Sequence, residues 1–439
     1  MDMIVNHLYI NKNPVKKNYS VFVILFLSFS AAAQDFDDLF YNKTMRFDYI
    51  HAGNQTSEYY YFSRLKEEPF YAGSKINLID PDDYGNQLFK IIDTTSGKEI
   101  YSRGFCTLFN EWQTTEEATQ TQKAFPESVV FPYPKKAVRI ELYARNEKMS
   151  FDKKFEYNID PDSYFIEKFI PTYETFEVAY TGNPTRRVDI VLIPEGYSAS
   201  QRAKFEEACQ SFANDFFKYS PFKENRNRFN IVAVWAPSQD EGVTIPGEHV
   251  WKRTATGANF YTFDSERYQT ISNFQQLRDI AGHVAYDYIY VLSNTQKYGG
   301  GGIYNFYGIS AAHHSALTGK VYVHEFGHLM LGLGDEYVGG VAFNEMYPAN
   351  REPWEPNLTT LVDFDKKAWK GMIDSKTPVP TPATKEYADK LGVFEGGGYV
   401  TKGVYRPRQQ CLMNQISLSD TFCPVCQKAI NDRIDFLTQ

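Results

Sequence analysis

The sequence predicts an α+β protein with two domains, an amino-terminal β-sandwich over residues 34–175 and an α/β domain over residues 176–439. Two observations support this prediction. The first part consists of short runs of alternating apolar and polar residues, whereas the second part has continuous apolar runs and a long helical pattern. Turn-forming residues at 181–184 mark the change, so we place the boundary between residues 171 and 182.

The β-sandwich prediction rests on closely spaced strand patterns. Alternating runs occur at Tyr59–Arg64, Gln87–Asp93 and Ala137–Ala144, and turn signals at residues 80–83 and 96–98 separate them. Short strands with such punctuation are typical of a sandwich. No catalytic motif occurs in this stretch of the sequence.

The second domain begins with the apolar run Arg187–Ile193, which predicts a buried strand. Helical periodicity follows over Ser200–Phe217, and the apolar residues of its one face are Phe205, Ala208, Cys209, Phe212 and Phe216. Phe229–Trp235 and Tyr286–Leu292 predict two further strands. Strands that alternate with a helix indicate an α/β domain.

A glycine run at residues 299–302 predicts a pliable loop, because glycines are unfavourable inside a regular element. The run after it, Ile303–Ser310, predicts an edge strand. An edge strand has unpaired backbone groups and can accept an extended peptide as its neighbour.

The first 33 residues predict a secretory signal peptide. Lys16 and Lys17 precede the apolar run Val21–Phe29, and small residues follow at positions 31–33. The run is shorter than the roughly 20 residues that a membrane-spanning helix needs, and no later segment predicts a span. We therefore expect a mature chain from Gln34 that is exported to the periplasm, the cell surface or the medium.

The charge balance argues against nucleic-acid binding. The chain has 46 Lys and Arg against 54 Asp and Glu, a net charge of −8, and shows no basic cluster. Contacts with phosphates need clustered Lys and Arg.

The chain has five cysteines, an odd number, so at least one thiol stays unpaired in a monomer. Cys411, Cys423 and Cys426 are close in sequence, and export permits disulfides. We expect a disulfide between Cys411 and either Cys423 or Cys426. A redox CxxC motif and a structural zinc site are the alternatives, and the zinc site lacks a fourth ligand nearby in the sequence.

The candidate metal-binding and catalytic residues lie in the run VYVHEFGHLMLGLGDEY, residues 321–337. His324 and His328 are four residues apart, so both imidazoles project from one face of a helix and can reach one metal ion. Glu325 lies beside the first histidine and can reach a metal-bound water without ligating the metal. This pattern predicts a zinc site with Glu325 as the general base.

A catalytic zinc usually has three protein ligands and a water. Gly332 can end the helix and turn the chain back, which delivers Asp335 to the metal as the third ligand. Glu336 is the rival for this role. The residue of the pair that does not bind the metal can hold a histidine in place.

A short apolar bend, CLMN at residues 411–414, lies far downstream. Metzincins carry a later methionine turn that forms a floor beneath the metal. Met413 fits this position.

The runs HEFGHLMLGLGDEY and RPRQQCLMN resemble the IgA-peptidase family of bacterial metzincin-like metallopeptidases, over most of the mature chain. The resemblance implies a β-rich domain followed by a metzincin-like catalytic domain with an active-site helix and a Met-turn. It also implies Zn²⁺ as the cofactor. Its ligands would be His324, His328 and Asp335, with Glu325 as the base and Met413 in the Met-turn.

The sequence departs from the general metzincin pattern. Three residues separate His328 from the next glycine where metzincins have two, and the third ligand is acidic instead of histidine. Gln415 occupies a position where some metzincins carry a tyrosine that helps to stabilise the transition state. Tyr337 and Tyr405 are the candidate replacements for that tyrosine.

These observations predict a secreted zinc-dependent endopeptidase that hydrolyses extracellular proteins. One alternative is a glycoprotein- or mucin-directed HExxH peptidase of another class, with a glutamate ligand from a downstream helix. The other is a catalytically retired, exported binding protein. The expected partner is a protein or peptide, with host glycoproteins and immunoglobulins as candidates. The sequence does not determine which, because specificity lies in the cleft and not in the fold.

Overall fold

The computed structural model of the protein describes residues 35–312, 316–339 and 346–439. The predicted signal peptide, residues 1–33, lies outside these ranges. Within them, no helix combines the length and the apolar character that crossing a membrane requires.

The amino-terminal part folds as two antiparallel sheets. Its elements are α1 (Phe36–Leu39), β1 (Phe40–Gly53), β2 (Glu58–Glu68), β3 (Gln87–Asp93), β4 (Glu99–Phe105), α2 (Leu108–Trp112), α3 (Glu117–Gln120), β5 (Lys123–Pro134), β6 (Val138–Arg145) and β7 (Phe151–Ile159). The strand orders are β2-β1-β5 and β4-β3-β6-β7. Phe47 and Phe131 of one sheet share a core with Ile91 and Ile140 of the other. The prediction of an amino-terminal β domain is confirmed.

Strand β1 was not predicted from the sequence, because buried charges hide its pattern. Arg46 and Asp48 are fully buried in it, where an apolar residue would be the usual sign of a core position. The charges neutralise each other: Arg46 Nε lies 2.8 Å from Asp48 Oδ1, and Arg46 Nη1 lies 2.9 Å from Asp279 Oδ1.

The remaining chain forms a mixed sheet with helices on its faces. The elements are β8 (Glu174–Ala179), β9 (Val188–Glu195), α4 (Arg202–Phe216), β10 (Phe229–Trp235), β11 (Ala258–Asn259), β12 (Thr270–Ile271), α5 (Phe274–Ala281), β13 (Tyr288–Ser293), β14 (Gly300–Ile303), β15 (Tyr307–Ala311), α6 (Thr318–Leu331), β16 (Phe394–Gly397), β17 (Val400–Arg406) and α7 (Pro424–Thr438). The main sheet has the order β14-β15-β13-β9-β10-β8, and β11/β12 and β16/β17 are separate hairpins.

Helices α4, α6 and α7 pack on one face of this sheet, and α5 packs on the other. Strand β9 is buried along its whole length because both faces are covered. This explains the continuous apolar run in its sequence. The five apolar residues predicted for the inner face of α4 are all buried, so that prediction is confirmed.

The predicted edge strand Ile303–Ser310 is wrong, and the structure gives a hairpin instead. The edge strand is the glycine run itself, β14, which pairs antiparallel with β15. Strand β15 lies inside the sheet, because it also pairs in parallel with β13. The sequence favoured a loop for the glycines, but here they let β14 approach α6 closely. A Cβ on Gly302 would lie 2.3 Å from the backbone oxygen of Glu325.

The β domain and the α/β domain are joined by polar contacts. The Tyr286 hydroxyl donates to Glu68 Oε2 at 3.1 Å. The fully buried guanidinium of Arg433 in α7 lies 3.4 Å from Asp80 Oδ1. Such paired charges tolerate burial, whereas single charges do not.

Candidate metal centre

Helix α6 carries the histidine pair into the interior of the protein. Val323, Phe326 and Met330 bury its inner face. His324 and His328, one turn apart, bring their Nε2 atoms to 3.2 Å from each other. The four-residue spacing of these histidines therefore brings both imidazoles to one side of α6, as the sequence predicts.

The helix ends where the sequence predicts. Gly332 adopts the left-handed conformation, with φ of 60°, and its N–H donates to the His328 carbonyl at 2.8 Å. A glycine at this position is the usual way to stop a helix and reverse the chain. The chain then returns along α6 and delivers Asp335 to the histidine pair.

Asp335 completes a group of three converging donor atoms. Its Oδ1 lies 3.2 Å from His324 Nε2 and 3.3 Å from His328 Nε2. This oxygen is buried, yet it has no hydrogen-bond partner among the described residues. A buried oxygen without a partner that faces two imidazole nitrogens suits a divalent metal ion, whose protein ligands are nitrogen and oxygen atoms of this kind.

The second ring nitrogens of the histidines fix their orientation. His324 Nδ1 donates to the Leu412 carbonyl at 2.9 Å, and His328 Nδ1 donates to the Leu333 carbonyl at 2.5 Å. A carbonyl only accepts, so in the neutral ring each Nδ1 carries the proton and each Nε2 presents its lone pair to the shared point. This arrangement is the usual support of metal-binding histidines.

The electrostatics of the group favour a cation. Burial alone would raise the pKa of Asp335, but the positive charges that His328 and His324 carry when protonated hold it well below its usual range. Burial would lower the pKa of His328, but the Asp335 carboxylate outweighs burial and raises it to about 9. An arrangement that holds protons so strongly also attracts a metal cation.

Glu325 stands beside this group and is not a member of it. Its carboxylate faces strand β14, where a Cβ on Gly300 would lie 3.1 Å from Glu325 Oε1. Burial raises the pKa of Glu325, while the positive charges of His324 and His328 act in the opposite direction. A carboxylate next to the donor group, but outside it, is placed to exchange protons with a reacting molecule.

Met413 lies beneath the helix. It is fully buried, and a Cβ on Gly327 would lie 3.1 Å from its Sδ atom. Its neighbour Leu412 supplies the carbonyl that orients His324. The Met413 carbonyl accepts the backbone N–H of Glu336 at 2.7 Å.

Glu336, the rival third ligand, points away from the histidines. Its Oε1 accepts from Asn357 Nδ2 at 2.9 Å and lies 3.4 Å from Cys426 Sγ. The structure thus places Asp335 with the histidine pair and Glu336 in a separate cluster of cysteines.

The expected disulfide at Cys411 is absent, and this prediction is corrected. All five cysteines are buried free thiols. Cys411 Sγ lies 3.9 Å from Cys426 Sγ, and Cys423 Sγ lies 3.6 Å from the same atom. Disulfide sulfurs would be about 2.05 Å apart.

The metal group lies at the bottom of a cleft that both domains line. Glu111 in α2 of the β domain accepts a hydrogen bond from the Tyr268 hydroxyl, and both face the cleft. Burial raises the pKa of Glu111 to about 7. Tyr399, between β16 and β17, donates to Asp335 Oδ2. The sequence pointed to none of these residues, because no motif surrounds them.

The two tyrosines that the sequence proposed lie in different environments. Tyr337 lines the cleft and packs its ring against Tyr399, with the ring centroids 5.3 Å apart. Tyr405 is not among the residues that line the cleft, and its backbone pairs with Thr359 outside it.

A buried group of two imidazole nitrogens and a carboxylate oxygen, with a second carboxylate beside it in a cleft, is characteristic of metal-dependent hydrolases. Comparison with known families makes the assignment specific. The family model "IgA Peptidase M64" matches residues 176–389 and 383–434, and "Peptidase M64 N-terminus" matches residues 35–156.

Because these matches span the larger part of the chain, the protein belongs to the IgA peptidase M64 family. It is therefore a metallopeptidase, a hydrolase that acts on the peptide bonds of a protein or peptide substrate. A search of the curated proteins gives no match.

Proposed function

We propose that this metallopeptidase is a zinc-dependent endopeptidase in which His324, His328 and Asp335 hold the metal and Glu325 is the general base. The observation that carries the proposal is the convergence of three donor atoms at 3.2 to 3.3 Å from one another. Ligand atoms of a tetrahedral zinc site lie about 3.3 Å apart. The downstream Glu355 lines the cleft but is outside the group of donor atoms. The alternative of an HExxH peptidase with a downstream glutamate ligand therefore has no support among the described residues.

The choice of zinc rests on the donor set. Two neutral imidazoles and one carboxylate are common ligands of catalytic zinc, which keeps a further position open. When bound, zinc supplies a Lewis acid that lowers the pKa of a coordinated water and polarises the scissile carbonyl.

The chain's own residues perform the proton transfers in this proposal. A Glu325 carboxylate oxygen accepts the proton of the attacking water and then donates it to the leaving amine nitrogen. Its raised pKa suits both steps, because the group must bind the proton and release it again. Tyr337, in the same cleft, is our candidate for stabilising the negative charge that develops on the carbonyl oxygen.

Strand β14 aligns the substrate in this proposal. Two backbone hydrogen bonds already occupy the outer side of Gly300. The Gly300 N–H donates to the Arg267 carbonyl at 3.2 Å, and the Gln269 N–H donates to the Gly300 carbonyl at 3.1 Å. Because backbone groups alternate in direction along a strand, Gly302 directs its N–H and C=O to the same outer side. An extended peptide can pair with Gly302, beyond the point where residues 267–269 occupy the edge at Gly300.

Met413 acts as the Met-turn in this proposal. Its position beneath α6 and the Leu412 carbonyl on His324 support that role. We also propose that the protein is exported by a signal peptide over residues 1–33 and acts in the periplasm, at the cell surface or outside the cell.

Metal analysis and peptide hydrolysis together test the proposal. We expect His324→Ala and Asp335→Ala each to lose about one zinc per chain relative to the wild type. Glu325→Gln should keep its zinc but lose activity by roughly 100-fold or more, because only the proton acceptor is removed.

Glu207→Gln is the matched control, since Glu207 is exposed on α4, and it should retain both zinc and activity. Full activity in Glu325→Gln would exclude the assigned base. Unchanged zinc content in both ligand variants would exclude the assigned metal site.

A further inference from the structure

A second buried group of potential ligands lies behind the metal centre. Cys411 precedes Met413 in its loop, Cys423 caps the amino terminus of α7, and Cys426 lies in the first turn of that helix. The three sulfurs and a carboxylate oxygen of Glu336 all lie within 4.8 Å of one another. All four side chains are fully buried.

Three of the pairwise distances within this group match those of a tetrahedral metal site. Sulfur–sulfur distances are 3.6 and 3.9 Å, and Cys426 Sγ lies 3.4 Å from Glu336 Oε1. With zinc–sulfur bonds of about 2.3 Å and zinc–oxygen bonds of about 2.0 Å, a tetrahedron separates two sulfurs by about 3.8 Å and a sulfur from an oxygen by about 3.5 Å.

Glu336 provides an independent indication of a ligand. Its Oε2 is buried and has no hydrogen-bond partner among the residues that the structure describes. Burial of a carboxylate oxygen in this condition is strongly unfavourable unless a cation balances its charge. A disulfide between two of the cysteines would leave this oxygen without a partner.

We propose that Cys411, Cys423, Cys426 and Glu336 bind a structural zinc ion, separate from the metal held by the histidine pair. Thiolate ligands select zinc over harder cations such as Mg²⁺ and Ca²⁺. The formal charge of three thiolates and one carboxylate equals that of the four-cysteine zinc sites. Structural zinc sites use four protein ligands and leave no open position, as here.

Backbone groups already support the sulfur of Cys411 as a ligand. The N–H of Cys423 donates to Cys411 Sγ at 3.2 Å, and the N–H of Met413 donates to it at 3.5 Å. Such hydrogen bonds orient a thiolate and offset part of its charge, as the surroundings of metal ligands generally do.

The proposed ion would join the segment that carries Asp335, the loop that carries Leu412 and the start of α7. Glu336 directly follows Asp335 in the chain. Cys411 directly precedes Leu412, whose carbonyl orients His324. Cys423 and Cys426 anchor the start of α7 to both. The site would therefore act as a positioning device for the catalytic metal, and its residues would not touch the substrate.

Zinc content of the full chain, purified under reducing conditions, tests the inference. We expect about two zinc ions per wild-type chain and about one in Cys426→Ala. Cys209→Ala is the matched control, because Cys209 is an equally buried free thiol in α4, and it should keep both ions. His324→Ala should lose only the other ion, so Cys426→Ala/His324→Ala should hold none.

A second measurement can be made on the wild type, which avoids dependence on a variant that could fail to fold. Cobalt replaces zinc in the wild type, and thiolate ligation then gives a strong sulfur-to-cobalt absorption band. We expect this band in the wild type and in His324→Ala. Its absence from both proteins would overturn the inference, as would detection of a disulfide among these three cysteines by alkylation and mass spectrometry.

The outcomes separate this inference from the proposed function. A wild type with one zinc that only His324→Ala removes would overturn the structural site and leave the catalytic proposal intact. A zinc that only Cys426→Ala removes would support the structural site and contradict the catalytic one.

Discussion

Two adjacent acidic residues illustrate how the site is built at the scale of single residues. Asp335 and Glu336 lie in non-helical chain after Gly332, where successive side chains point to opposite sides. Asp335 therefore faces the histidines, and Glu336 faces the cysteine cluster. Both carboxylates are buried, and in our proposals each binds a different zinc ion.

Tyr399 donates a hydrogen bond to Asp335, the proposed third ligand, and the contribution of its hydroxyl can be tested. Tyr399→Phe removes the donor to Asp335 Oδ2 but keeps the ring. We expect zinc affinity at the catalytic site to fall by about 10- to 100-fold, which is typical when a partner of a metal ligand is lost. Competition with a chelator would measure the change.

Tyr164→Phe is the control for this substitution, because Tyr164 is 88% exposed. It should bind zinc like the wild type. Wild-type affinity in Tyr399→Phe would show that the hydrogen bond does not support Asp335.

At the scale of elements, the glycine run shows why a local pattern misleads. Four consecutive glycines favour a loop, because each one loses much conformational freedom on ordering. The structure places the last three of them in β14, since a Cβ on Gly302 would collide with the backbone of α6 and one on Gly301 with Tyr268 and Gln269. Close approach of two backbones outweighs the local preference.

Gly302→Ala tests this explanation. The added Cβ would lie 2.3 Å from the Glu325 carbonyl, so strand or helix must shift. We expect the free energy of unfolding to fall by about 1–3 kcal/mol, as overpacking usually costs. Peptidase activity should also fall, because Glu325 moves with its backbone. Denaturant titration and a cleavage assay would measure both effects.

Gly371→Ala is the matched control, because a Cβ at Gly371 meets nothing within 4 Å. It should leave both stability and activity close to the wild type. If Gly302→Ala behaves in the same way, the close packing of β14 does not require glycine.

At the scale of the whole molecule, the β domain takes part in the site. The Cys106 N–H donates to the Tyr304 carbonyl at 2.9 Å, and Asn305 Nδ2 donates to the Gly104 carbonyl at 2.7 Å. Tyr304 and Asn305 form the turn between β14 and β15. The β domain therefore supports the hairpin that borders the cleft, in addition to contributing Glu111 to its lining.

The junction of the domains also makes stability depend on pH. Burial raises the pKa of Asp287 from 3.8 to about 7, against the opposing effects of a hydrogen bond from the Asp189 backbone and the charge of Arg103 in the β domain. The folded protein thus holds a proton on Asp287 that the unfolded chain releases at lower pH. Its contribution to the free energy of unfolding falls as pH rises from about 4 to 7.

Asp287→Asn should remove the part of this dependence that Asp287 contributes, because an amide does not titrate. We expect the variant to gain about 1–3 kcal/mol relative to the wild type between pH 4 and pH 8. Denaturant titrations at several pH values would measure the difference, with Glu207→Gln as the exposed control. Parallel pH profiles for Asp287→Asn and the wild type would contradict the assigned titration.

Local patterns determined much of this protein from the sequence by itself. The ends of β3 and β10 and the buried face of α4 agree with their periodicity, because such patterns depend on near neighbours. The spacing of His324 and His328 placed both rings on one side of α6 for the same reason. Gly332 ends the helix because the left-handed conformation suits glycine.

Only the tertiary structure decided the rest. It determined which acidic residue meets the histidines, which strand forms the edge of the sheet, and that Glu336 joins three cysteines distant from it in sequence. It also brought Glu111 of the β domain into the cleft. These outcomes depend on contacts between segments far apart in the chain, and no local periodicity encodes such contacts.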